Sequence, residues 1–139
     1  MAPHLVITEQ RFGAVALVSL NGWLVADDQD AQFRNYIDAL VSEGITKIVA
    51  DLQDVTLLDS GGIGVLVAKF LTLRKRGGDL RLARLTARTQ RVLSITRLLT
   101  VFATFDSPDS AVHSFATDAP PTSSPGDIAF DSVLRGETL

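Results

Sequence analysis

Short apolar runs of strand length alternate with apolar stripes of helical spacing through the first 116 residues, and this switching of period is what most restricts the fold. "LVITEQ" and "AVALVSLNG" are rich in β-branched and aliphatic side chains and flank Arg11-Phe12-Gly13, which predicts an opening hairpin. From Asp28 to Glu43, Phe33, Tyr36, Ile37, Leu40 and Val41 share one helical face, with Asp28 or Asp30 as the start signal and Gly44 as the stop. "ITKIVADL", residues 45–52, is too short for a helix and predicts a central strand. From Gly62 to Arg76 the stripe is Ile63, Leu66, Val67, Phe70 and Leu71, and Lys69, Arg74, Lys75 and Arg76 gather toward the end where cations suit the helix dipole. Gly77-Gly78 ends that helix. "DLRLAR" then reads as a strand, residues 88–99 as a helix, "VFATF" as a short strand, and "SPDSAVHSFA" as a last helix capped by Ser107 with Pro108 at its first position. The expected class is α/β. Parallel crossovers stay on one side of a sheet unless the strand order reverses, so a small mixed β-sheet with helices mainly on one face is expected.

The 139 residues suffice for one self-contained core, and residues 1–116 are expected to form that single domain. From 117 to 139 the composition shifts: "TDAPPTSSPGD" brings prolines and hydroxyl residues that preclude a packed element, and the following "IAFDSVLRGETL" regains Ile128, Phe130, Val133 and Leu134. This is a linker and tail whose end either docks on the domain or stays free. The chain has no cysteine, which excludes disulfides, thiol catalysis and zinc-thiolate sites. A net charge of −3 argues against general nucleic-acid binding. The start, "MAPHLVITEQ", lacks a basic region followed by a long apolar stretch, and no apolar run in the sequence approaches the roughly 18 residues of a membrane span, so a cytoplasmic protein is expected. Charge is unevenly spread, however, with acids concentrated between Asp27 and Asp59 and cations between Arg74 and Arg97. Solvated faces account for such a pattern, and so does a polar protein partner.

Between the third strand and the second long helix lies "VTLLDSGGIG", residues 55–64, where Ser60 sits between an acid and a run of glycines. A phosphate-binding P-loop needs a glycine directly before its lysine, but Lys69 lies between Ala68 and Phe70. Gly61, Gly62 and Gly64 do not make the G-x-G-x-x-G dinucleotide pattern. A hydrolase elbow needs G-x-S-x-G, and only His4 and His113 are available as an imidazole base. No His and carboxylate spacing suggests a metal site. Two readings remain. Ser60 is a helix cap, so that Ser60→Ala costs about 1 kcal/mol, or it accepts a phosphate beside the unpaired amides and dipole of a helix start.

The segment from "VADLQDVTLLDSGGIG" through "FDSPDSAV" resembles the STAS domain of bacterial anti-sigma factor antagonists. The shared features are an Asp-Ser-(Ser/Thr)-Gly-(Leu/Ile)-Gly turn, a helix ending in Gly-Gly, a following strand and a late "FxxFDS". The resemblance covers about residues 5–116. It implies a STAS-like fold and a non-enzymatic switch with no cofactor and no metal. In this reading Ser60 is phosphorylated by an anti-sigma factor carrying a GHKL-type serine kinase domain, and a serine phosphatase reverses the step. The unphosphorylated protein binds that partner and frees a sigma factor. The expected contact residues are Trp23, Asp59, Ser60, Gly61, Gly62 and Gly64. The chain departs from the family pattern in carrying Val25 where an acid is usual, Gly61 for the second hydroxyl of the turn, Arg97 for the glycine of a Thr-Gly-Leu sequence, and an added tail. A STAS module that only scaffolds or serves a transporter, with Ser60 as a plain cap, is the alternative, and an enzyme acting on esters or nucleotides is a third.

Overall fold

The computed structural model describes residues 5–25 and 28–116. The chain runs β1 (Val6–Phe12), β2 (Val15–Leu24), α1 (Asp28–Ser42), β3 (Lys47–Leu58), α2 (Ser60–Lys75), β4 (Asp79–Ala83), α3 (Ala87–Ile95), β5 (Thr104–Phe105) and α4 (Pro108–Ala116). The strands lie in sequence order, with β1 antiparallel to β2 and the remaining neighbours parallel. Because the order never reverses, the crossover helices return over one face. Phe33, Ile37 and Leu40 of α1, Leu66, Phe70 and Leu73 of α2 and Leu93 of α3 join Leu20, Ile48, Leu52, Leu80 and Leu82 in one core. The last helix follows the edge strand with no further strand to reach, and it closes the opposite face. There Ala111 and Phe115 pack on Val15, Leu17, Val49 and Ala83. Helices cover mainly one face, as expected. The exception, α4, explains why β4 is buried at every position.

The third strand continues to Leu58, six residues beyond the expected end. Its inward residues, Leu52, Val55 and Leu58, recur every third position because the register against β2 shifts between Ser19 and Asn21 and again between Gly22 and Trp23. Those bulges hide the two-residue period that marks a strand. The tail, 117–139, with Ile128, Phe130, Val133 and Leu134, lies outside the described residues, as do His4 and the side chains that were to start α1, Asp28 and Asp30.

Cations and acids from opposite halves of the sequence meet within the fold. Lys69 Nζ lies 2.7 Å from Asp38 Oδ1, and Arg84 forms a two-pronged pair with Asp51; within the basic half itself, Asp79 takes Arg81 Nε at 2.9 Å and Arg74 Nη1 at 3.4 Å. Part of the uneven charge is therefore internal pairing, which neither solvated faces nor a partner surface had anticipated.

The helix ends explain several boundaries. Asp59 caps α2 through an extended backbone and a carboxylate that accepts from Gly62 N at 2.9 Å, which makes Ser60 the first helical residue and not the cap. Gly44 and Gly77 adopt positive φ, and the following amides donate back to Leu40 O and Leu73 O at 2.9 and 2.8 Å, the double-bonded helix stop that glycine favours. α3 stops in the same way, with Leu98 N donating to Leu93 O at 2.8 Å, but the residue at positive φ there is Arg97, at 63°. This early stop ends α3 at Ile95, short of the expected residue 99. Ser107 caps α4 as expected, accepting from Ser110 N at 3.1 Å.

Two stability predictions follow from these ends. Arg97→Gly should stabilise the protein by about 1 kcal/mol in urea unfolding, because the left-handed backbone costs a residue with a Cβ about that much. Asp59→Ala should cost about 1 kcal/mol, and Ser60→Ala only a few tenths. A Ser60→Ala loss matching that of Asp59→Ala would return the cap to Ser60.

Candidate functional site

The site forms where the ends of β2 and β3 meet the start of α2. Leu24 and Leu58 are register partners, and Asp59 N donates to Leu24 O at 3.4 Å. The helix start is pressed so closely against this carbonyl that a Cβ at Gly62 would lie 2.0 Å from it. Gly62 is buried, and its work is to permit that contact. Gly64, one turn on, faces open space, with nothing within 4 Å of an added Cβ. The two glycines look alike in the sequence and have opposite surroundings.

Ser60 is exposed, Asp59 and Gly61 are half-buried, and Gly64 is exposed. Ser60, Gly64 and Ala68 follow one another at helical spacing, so the outward face of α2 begins with small side chains, flanked by half-buried Val67 and Leu71. Of the helix-start amides, Gly62 N serves the cap and Ile63 N donates to Asp59 O at 2.9 Å. Ser60 and Gly61 keep amides without an intrahelical acceptor, beside the positive end of the helix dipole. A charged oxygen group on Ser60 would therefore meet attraction from the helix and repulsion from the Asp59 carboxylate.

Trp23 is half-buried and pairs in register with Leu57, which is 36% exposed. Leu24 and Leu58 point into the core, so strand alternation sends Trp23 and Leu57 to the other face of the sheet, past the part that α4 covers. The fold thus brings Trp23 to the end of the sheet that carries Asp59, Ser60, Gly61, Gly62 and Gly64. Val25, where an acid was expected, is 8% exposed and buried. The sequence reading missed Leu57, whose exposure depends on the bulges in β3. It also missed Arg84, which holds a positive φ of 53° while its guanidinium grips buried Asp51. That hydrogen bond raises the Arg84 pKa above the usual guanidinium range.

The remaining histidine of the hydrolase reading, His113, lines a groove with Lys47 at the start of β3, whereas Ser60 follows the end of that strand. At about 3.3 Å per residue the strand separates them by on the order of 30 Å, so His113 cannot act as a base for Ser60. Among the described residues no group of His, Asp and Glu is arranged to hold a metal ion, and no helix is long and apolar enough to cross a membrane.

Known proteins share this fold. A stretch of 47 residues is 45% identical to the anti-sigma-B factor antagonist of Bacillus subtilis (strain 168), covering 34% of this chain and 43% of that protein, so this match spans less than half of the relative. The chain is 22% identical over 109 residues to the anti-sigma F factor antagonist of Paenibacillus polymyxa, covering 78% of this chain and 93% of that one. In three dimensions the Bacillus cell fate determinant SpoIIAA, solved in its phosphorylated form, superposes with a TM-score of 0.64 at 17% identity, over 79% of this chain and 99% of that one. Residues 8–111 match the STAS domain, a stretch that runs from within β1 to the start of α4, and the chain belongs to that family.

Proposed function

We propose that this protein is an anti-sigma factor antagonist whose binding is switched by phosphorylation of Ser60. Unmodified protein binds an anti-sigma factor bearing a GHKL-type serine kinase domain and so frees a sigma factor. Phosphorylated protein releases that partner until a serine phosphatase restores it. In this reading the protein is a binding switch and not an enzyme, working in the cytoplasm. The observation that carries the proposal is the division of labour at the start of α2: Asp59 does the capping, so the Ser60 hydroxyl is exposed and has no structural duty there. The antagonist names of the two sequence relatives support the partner class, and the phosphorylated form of SpoIIAA supports the chemistry.

The same geometry says how phosphate acts. It adds about −1.5 to −2 charges at pH 7 to a turn that already holds the Asp59 carboxylate. The amides of Ser60 and Gly61 and the helix dipole offset part of that repulsion, so the fold survives. The partner, however, must pack on a small-residue face formed by Ser60, Gly64 and Ala68, and there the phosphate blocks close approach and resists desolvation. Beside this face, Trp23 and Leu57 replace the acidic contact of the family pattern with an apolar one, which suits a partner with a matching apolar patch.

Affinity capture from the native organism with wild type and Ser60→Ala, followed by identification of the retained proteins, tests the partner. The expected retained protein contains a GHKL-type ATPase domain. Ser60→Ala should hold it as well as wild type does while taking no phosphate from it. Ser60→Asp should weaken binding only in part, since one carboxylate has neither the charge nor the size of phosphate. Label on Ser60→Ala, or full binding by Ser60→Asp together with full binding by the phosphoprotein, would leave a phosphorylation-independent scaffold in its place.

A further inference from the structure

At the end of the molecule away from Ser60, α4 and the β1–β2 turn enclose an apolar groove of about 420 Å³. Phe12, Val15, Val112 and Phe115 line it, and Phe12 is 44% exposed although it sits beside these apolar neighbours. Lys47, His113 and Asp109 stand among its lining residues. Ala116, the last residue of α4, is itself part of the wall, so the chain leaves the domain from the groove's own edge.

We propose that the segment Ile128–Leu134 of the same chain docks in this groove. The 23 residues after Ala116 gather Ile128, Phe130, Val133 and Leu134 within seven positions, and the eleven residues 117–127 that precede them form a proline-rich tether. At about 3.1 Å per residue in an extended proline-rich conformation such a tether reaches up to roughly 34 Å, far more than a return to the groove beside its origin demands. A tether this short also holds the segment at an effective concentration in the millimolar range, so even a contact of millimolar affinity is about half occupied. Charge favours the same pairing. Asp127 and Asp131 bracket Ile128 and Phe130 and complement Lys47, and Arg135 complements Asp109. Docking buries Phe12 and leaves the Ser60 end untouched, which makes the tail a cover for an apolar surface and not part of the switch.

The chain has no cysteine, so a nitroxide on Ser132→Cys in the full-length protein is free of background. We expect the oxidised label to reduce the amide signals of Phe12, Gly13, Lys47 and Val112 at least twofold relative to the reduced label. The same label in a chain also carrying Phe130→Asp and Val133→Asp should lose that effect at Phe12 and Lys47, while keeping whatever the tether alone produces near Ala116. An identical pattern in both chains, or no attenuation at Phe12 and Lys47, overturns the proposal. Attenuation seen only when labelled chain is mixed with unlabelled isotope-enriched chain assigns the groove to a second copy and also overturns it. Loss of the folded spectrum in the doubly substituted chain would place the segment in the core, which is equally incompatible with reversible docking.

Discussion

The close approach of the α2 helix start to the Leu24 carbonyl is the contact on which the serine-bearing end of this protein depends. Gly62 permits it, since any Cβ there would overlap the carbonyl oxygen, and Asp59 N completes it by donating to the same atom. With the helix seated this way, the Asp59 carboxylate is turned onto Gly62 N and Ser60 is left facing outward. A bulkier residue at position 62 would push α2 off the sheet, and the cap, the exposed serine and the core contacts of Ile63 and Leu66 would move together. Packing and the outward placement of Ser60 are therefore set by one short contact.

The sheet supports this end by being covered unevenly. Crossover helices fill one face along its length, whereas α4 covers only the part of the other face around Val15, Leu17, Val49 and Ala83. Beyond it, Trp23 and Leu57 are left accessible beside the serine turn. Buried Asp51, gripped by Arg84, lies on the border between the covered and uncovered parts, where a lone carboxylate would be costly to bury. Pairing of Lys69 with Asp38 likewise ties α2 to α1. The protein thus fixes the frame of its α2 face by ionic and apolar contacts at once.

Much of this was legible in the sequence because the signals were local. The hairpin, α1, α2 and the cap of α4 follow from spacing, glycine stops and the Ser107-Pro108 pair, and the turn containing Ser60 was placed between strand and helix. What escaped were features that depend on residues distant in the chain. The extra residues of β3 stretch its inward spacing to three and disguise the strand's second half. Gly62 and Gly64 differ only in whether Leu24 lies above them. Asp59 and Ser60 are both good capping residues, and only backbone geometry assigned the task to the acid. Arg97 in a glycine-type helix stop was visible as a departure from the family pattern, but its cost becomes apparent only from its positive φ. Ion pairs such as Asp51 with Arg84 join halves of the chain that composition alone reads as separate charge blocks.

The central claim is that phosphate on Ser60 changes a surface without changing the fold. It is tested most directly by titrating the purified anti-sigma factor with unmodified and Ser60-phosphorylated protein, while the amide spectrum of each is recorded in the free state. Our account predicts at least a hundredfold loss of affinity on phosphorylation, which corresponds to about 2.7 kcal/mol, with spectral changes confined to the start of α2 and the ends of β2 and β3. Equal affinities, or a loss of affinity accompanied by changes throughout the sheet, would contradict it.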